Sequence, residues 1–284
     1  VPDSRVSERT PLRILCQGER GSCAACCGLS NFADRSRAAT HARLRRRTDA
    51  VRAAWPDTAE LAAARDALLR EETPQVLFAG VKVCPFAGWV EEPADDDDDD
   101  DGRVGCLLHP SRHPDGADLR DLAVYPRAVC AGHFCAPHDW LRPHEVDLAQ
   151  TAHGLVYGRV VTDAGLVKAV ARGLVERGNG PFDDVKVARA GDALAALWRA
   201  LLDEWPYADP DPRRFGGFVC SGDNAVDRSL PSCVAGLDVD AARWERTVLD
   251  AIATRPLTAT EADAALARLR GALDAVLAAA GRPG

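Results

Sequence analysis

Eight of the chain's ten cysteines fall before residue 140, and three of them crowd into five positions, Cys23-Ala-Ala-Cys26-Cys27. A Cys-x-x-Cys pair can aim two sulfurs at a common point from a tight turn, and zinc takes thiolate sulfur at about 2.3 Å. Ala24, Ala25 and Gly28 are small enough to let the backbone approach that point and donate N–H groups to sulfur, which favours the thiolate form that binds metal. The other early cysteines lie in Cys84-Pro-Phe, Gly-Cys106-Leu-Leu-His-Pro and Cys130-Ala-Gly-His-Phe-Cys135, where Gly, Pro and aromatic residues predict fixed turns. The expected ligands are therefore Cys23, Cys26, Cys27, Cys84, Cys106, Cys130 and Cys135, with Cys16 as a further candidate, and the expected cofactor is a zinc ion or an iron–sulfur cluster.

Other uses of cysteine compete with this one. Disulfides need an oxidising compartment, whereas Val1 to Arg13 is polar and lacks the apolar stretch of a secretory signal, which reads as cytoplasmic. Buried free cysteine behaves as a small hydrophobe and accounts for Cys220 and Cys233. A thioredoxin-type redox pair expects a βαβ setting, but here the motif precedes a helical stretch. Five of the seven histidines, His109, His113, His133, His138 and His144, lie among the later cysteines, so mixed Cys/His ligation stays open, with histidine ranked below cysteine. The early cysteines outnumber the four that one tetrahedral zinc or one four-iron cluster takes, so two centres, or one with spare thiols, are expected. Adjacent Cys26 and Cys27 are expected to diverge. Softness does not choose between zinc and iron.

The order of these motifs, Cys23-x-x-Cys26-Cys27, then Cys84-Pro-Phe, then Gly-Cys106-Leu-Leu-His-Pro, then Cys130 and Cys135 after Tyr125-Pro-Arg, resembles the CxxCxxCC (YkgJ-like) family of zinc- or iron-chelating cysteine-cluster proteins. The likeness spans residues 14–140 and departs at one place: the family's first cysteine would fall at Arg20, and Cys16 lies four residues earlier. It implies metal binding. In one branch, the flagellin lysine N-methylases, it implies an iron–sulfur enzyme that modifies lysine. No Gly-x-Gly-x-x-Gly loop supports a nucleotide-dependent transferase independently, and no catalytic residue can be assigned.

The rest of the chain reads as a mainly α protein in two parts, an irregular cysteine-rich domain over 1–142 and a helical domain over 143–284. Two helices are expected between Ala33 and Glu72, broken at Trp55-Pro56-Asp57 with Asp57 or Thr58 as cap, and Val76 to Val83 reads as a short strand. The aspartate run Asp95 to Asp101 lacks the ligand spacing of a calcium loop and predicts a mobile connection. Helices are expected over Val146 to Val156, Leu166 to Val175, Asp192 to Trp205 and Thr260 to Ala280, with Asp192 and Thr260 as caps. A long loop is expected from Tyr207 to Leu237. A net charge of −8 argues against a nucleic-acid partner, and no apolar run reaches the roughly 20 residues of a membrane span. The arginines of Arg43 to Arg47 then read as the solvated side of a helix. Metal is the expected partner, and a protein partner stays open.

Overall fold

A computed structural model describes residues 15–18, 21–93, 102–132, 135–206, 214–215, 218–220, 226–227, 232–253 and 255–281. The described chain is mainly helical. Helices α1 (Arg37–Ala54) and α2 (Thr58–Glu72) flank the break at Pro56, whose missing N–H cannot continue a helix. Asp57 caps α2, its carboxylate accepting from the Ala59 and Glu60 amides at 2.7 and 3.1 Å. Helix α1 packs on an antiparallel pair, β1 (Ala87–Glu91) and β2 (Arg103–Cys106), in which Ala87 faces Cys106 and Gly88 faces Gly105.

Two expectations about this half are corrected. Val76 to Val83 is not a strand, since one side chain takes three of its backbone groups and Val81 N–H turns back to Phe78 O at 3.1 Å. The Asn31 amide donates to the carbonyls of Phe78 and Val81 at 2.9 and 2.8 Å and accepts from Phe78 N–H at 3.0 Å. Only Val76 forms a bridge, opposite Phe32. The arginines of α1 are not all on a solvated face either. The Arg43 guanidinium lies 3.5 Å over the Phe32 ring, and Arg47, 0% exposed, pairs with Glu72, 1% exposed, at 2.6 Å. Arg47 also donates to Ala87 O at 3.2 Å, so this charge ties α1 to both α2 and β1. Charge sequence alone does not distinguish an inward arginine from an outward one. The aspartate run lies outside the described residues.

Short helices α3 (Arg127–Gly132) and α4 (Pro137–Trp140) lead to α5 (Pro143–Ala149), α6 (Gly154–Thr162), α7 (Ala164–Arg177), α8 (Asp184–Arg189) and α9 (Gly191–Leu202). The single helix expected over Val146 to Val156 is thus two. Gly154 opens α6 at φ +54°, and Thr151 turns its hydroxyl back to Leu148 O at 2.7 Å. The expected face of α9 is buried as a unit: Leu194, Leu197, Trp198, Leu201 and Leu202. Asp192 lies within the first turn of α9 and is not its cap. After three short antiparallel strands, β3 (Arg214–Phe215), β4 (Phe218–Cys220) and β5 (Val226–Asp227), come α10 (Arg243–Ile252) and α11 (Ala259–Ala280). Part of the expected Tyr207 to Leu237 loop is therefore a small sheet. The cap of α11 is Thr258, not Thr260, in a reciprocal box with Glu261.

Helices α6, α7, α9, α10 and α11 share one apolar core around Val170, Trp198, Leu249 and Leu269. Leu15 and Cys23 belong to that core, and Tyr157 of α6 donates its hydroxyl to Leu15 O at 2.9 Å. The first cysteine segment is thereby seated on the helical body. Among the described residues no helix is long and apolar enough to cross a membrane.

Removing one partner of a buried ion pair strands the other, at a cost of about 3–5 kcal/mol. Glu72→Ala is expected to lower unfolding stability by that amount in urea titration, while Asp49→Ala, which frees only the exposed Arg52, changes it by less than about 1 kcal/mol. Equal effects from the two would contradict the role given to Arg47.

Candidate metal centre

Four stretches of chain deliver the cysteines, and each arrives by a defined device. Gln17 and Ser22 form an antiparallel bridge, and Cys23 N–H bonds Cys16 O at 2.8 Å, so the two cysteines stand side by side next to that bridge. This places Cys16 beside Cys23 in the fold although they are seven positions apart in sequence. A single turn of 3₁₀ helix, Ala25–Cys27, carries the next pair and ends at Gly28 with φ +76°. A Cβ on Gly28 would meet Lys82 O at 2.5 Å, so only glycine lets this turn lie against the 82–84 backbone, where Cys84 N–H bonds Cys27 O at 2.9 Å.

Cys106 ends β2, and the Gln17 side chain reaches it across the bare face of Gly105. Gln17 Oε1 accepts from Cys106 N–H at 3.1 Å while its Nε2 donates to Cys23 O at 3.2 Å. A Cβ on Gly105 would fall 2.9 Å from that same Oε1. Cys130 sits on α3 with its thiol 3.8 Å from Tyr125 O, and Cys135 immediately precedes α4. None of these described cysteines is joined in a disulfide.

The acidities report which sulfurs face one another. Cys16 is pushed up by donating a hydrogen bond to Cys135, then by burial and by the Cys23 charge. Cys135 is lowered to about 6, chiefly because it accepts that bond, with His138 adding a further favourable partner. Burial, with Cys26 and Cys135 nearby, pushes Cys23 up to about 12. In a second group, Cys27 is raised by its hydrogen bond to Cys26, then by burial and by Cys84 and Cys106. Burial raises Cys106 to about 12, with Cys84 and Cys130 adding to it, and raises Cys130, with Cys84 and Cys26 adding to it. Cys84 is raised by burial and slightly relieved by Arg47. Cys26 acts on members of both groups, and its bond with Cys27 corrects the expectation that adjacent side chains diverge. The 3₁₀ turn keeps them together.

Backbone donors meet the sulfurs in a repeated way. The amide two residues on donates to Cys23 (Ala25 N–H, 3.3 Å), to Cys84 (Phe86 N–H) and to Cys106 (Leu108 N–H), and Val124 N–H also donates to Cys84. Such donors favour thiolate over thiol. Burial and mutual repulsion oppose them: two unit charges about 4 Å apart cost about 4 kcal/mol at an effective dielectric of 20. Among the described residues no group of three or more His, Cys, Asp or Glu side chains stands so that it could hold a metal ion; sulfur meets sulfur in the pairs Cys16–Cys135 and Cys26–Cys27.

The other candidates lie elsewhere. Cys233 is buried beside Asp250, which accepts from its amide at 2.9 Å and raises its thiol, after burial, to about 12. The Cys220 side chain and His133 lie outside the described residues. His109 caps a short turn through Ser111, and His113 stacks on Trp55 at 4.2 Å. His138 is the exception, with a ring nitrogen 3.6 Å from Cys16 Sγ and the other 3.5 Å from Cys135 Sγ. Ranking the histidines together missed it, although the spacing Cys135-x-x-His138 was present to be read. A cleft of about 470 Å³ opens between α2 and the 76–83 segment, lined in part by Lys82, Val83 and Val124.

No family model, curated protein or solved structure matches this chain. The likeness in motif order therefore stands on the residues quoted for it.

In the reduced, metal-free protein at neutral pH, Cys135 is expected to be largely thiolate and Cys16 thiol. Iodoacetamide labelling mapped by mass spectrometry should show Cys135 reacting first, its rate rising as pH passes through about 6. Labelling of Cys130 ahead of Cys135 at pH 7 would show that the hydrogen bond from Cys16 does not govern this sulfur.

Proposed function

We propose that this chain is a metal-binding protein that holds zinc or an iron–sulfur cluster through thiolates of its first half. The observation that carries this reading is the set of backbone N–H groups trained on the sulfurs of Cys23, Cys84 and Cys106. A buried apolar cysteine has no use for such donors, whereas a metal-bound thiolate needs them. A cation also removes the repulsion that pushes these thiols upward, because it binds the deprotonated form of each. Cys27 from the 3₁₀ turn, Cys84, Cys106 from the end of β2 and Cys130 from α3 would supply an all-sulfur donor set, with Cys26 at its edge. Either zinc or an iron–sulfur cluster accepts such a set.

The second reading, an iron–sulfur enzyme related to protein lysine N-methylases, is favoured by the cleft. Val83 and Val124 line it, and these residues adjoin Cys84 in sequence and donate to its sulfur, respectively. A substrate there would lie next to the cysteine group.

Anaerobic purification followed by metal analysis and an absorption spectrum separates these cases. Zinc without visible absorption supports a structural or metal-handling site, and visible absorption that bleaches on reduction supports a cluster. Cys84→Ser and Cys106→Ser are each expected to weaken metal binding at this set at least tenfold, and Cys233→Ser to leave it unchanged. A protein that purifies without zinc or iron, or that loses metal equally in all three variants, would overturn the proposal.

A further inference from the structure

Among the described residues His138 is the one histidine held against two of the candidate ligands. It lies in α4, one turn after Cys135, so that Cys135-Ala-Pro-His138 presents a sulfur and an imidazole at the two-residue spacing common among zinc ligands. Pro137 at the start of α4 fixes the local backbone, and the 15–16 segment packs on the ring.

The tautomer follows from the partners. Nδ1 lies 3.3 Å from Cys135 O, an atom that only accepts, so Nδ1 carries the proton. Nε2 is then the lone-pair nitrogen; Leu15 N–H donates to it at 3.3 Å, and Cys16 Sγ lies 3.6 Å away. A metal-ligating histidine shows this arrangement, one nitrogen donating to a carbonyl and the other directed at the ligand position. The 3.6 Å between Nε2 and Cys16 Sγ also suits a common ion, since nitrogen and sulfur ligands on one tetrahedral zinc lie about 3.5 Å apart.

Resting on the metal reading above, we infer that His138 Nε2 completes a second, mixed site with the thiolates of Cys16, Cys23 and Cys135, separate from the all-sulfur set at Cys84, Cys106 and Cys130. Cys23 reaches this site from the far side of the Gln17–Ser22 bridge, one backbone hydrogen bond from Cys16. Binding replaces the thiol protons by the ion and displaces Leu15 N–H from Nε2. The pairwise contacts become a four-donor shell through side-chain rotations of the three cysteines. The site takes a borderline divalent ion, zinc in the first place, because imidazole with three thiolates is a donor set for zinc.

Cobalt(II) loading of the anaerobically purified full-length chain reads both sites by stoichiometry and by sulfur-to-cobalt charge-transfer absorption. The native chain is expected to take about two equivalents, and His138→Ala and Cys84→Ser about one each, from different sites. His138→Cys is expected to restore the equivalent lost in His138→Ala, with stronger charge-transfer absorption from the added thiolate. Full loading of His138→Ala with an unchanged spectrum would overturn the inference and leave the metal reading intact. Loss of both equivalents in His138→Ala without rescue by His138→Cys, or a Cys16–Cys135 disulfide in place of the second ion, would also overturn it. A native chain that takes no cobalt and carries no zinc or iron as purified would remove both readings.

Discussion

Everything in the first half is arranged around sulfurs that stand too close together to ionise freely in water-poor surroundings. Each buried thiol raises its neighbours, and two effects oppose this within the protein: backbone amides that donate to Cys23, Cys84 and Cys106, and the guanidiniums of Arg47 and Arg120. These donors do not neutralise the group, since burial still leaves Cys23 and Cys106 near 12. On the proposed reading, a bound cation would take the place of these protons and offset the repulsion among the thiolates.

The turns that hold the sulfurs in place have little intrinsic stability, so other residues fix them. Gln17 binds the first segment to Cys106, Arg103 donates to Gly18 O at 2.7 Å, and Asn31 ties the loop before Cys84 to the loop after Cys27. The Arg47–Glu72 pair holds α1 and α2 in register behind this assembly. Gln17 and Asn31 each satisfy several backbone groups with one polar side chain, and Arg103 and Arg47 each reach one carbonyl, which is how irregular chain remains ordered when ladders and helices are not there to pair its N–H and C=O groups.

These side-chain clamps also mark where the sequence stopped being legible. Local rules worked where the cause was local: Pro56 broke the helix, Asp57 capped the next, and the 3.6-residue period of α9 buried Leu194, Leu197, Trp198, Leu201 and Leu202 together. They failed where a distant side chain decided. Val76 to Val83 has the composition of a strand, but Asn31 occupies its backbone groups, and Arg47 turns inward because Glu72 and Ala87 O wait for it. The cysteines were visible as a group, yet their division was not, because Cys16 reaches Cys23 only through a bridge and reaches His138 across more than a hundred residues. The cap of α11 was readable in principle: Thr258-x-x-Glu261 is a capping box, and choosing Thr260 overlooked the reciprocal glutamate.

The two groups of cysteines differ in what they are attached to. Cys27, Cys84 and Cys106 pack against α1 residues and the β1–β2 pair, in small apolar clusters of their own. Cys23 instead belongs to the core of the helical body, under Gly158 and beside Tyr157, whose hydroxyl is pushed up by burial and by the charges of Cys23, Cys16 and Cys135. A change of charge at Cys16, Cys23 and Cys135 is therefore felt directly by α6, and through α6 by α7 and α9, whereas the same change at Cys106 is felt by a hairpin. Cys26 stands between the groups and acts on both. On the proposed reading, the site at Cys23 couples metal occupancy to the fold of the helical half, while the site at Cys84 and Cys106 adjoins the open cleft, where chemistry or exchange of the bound group has room to occur.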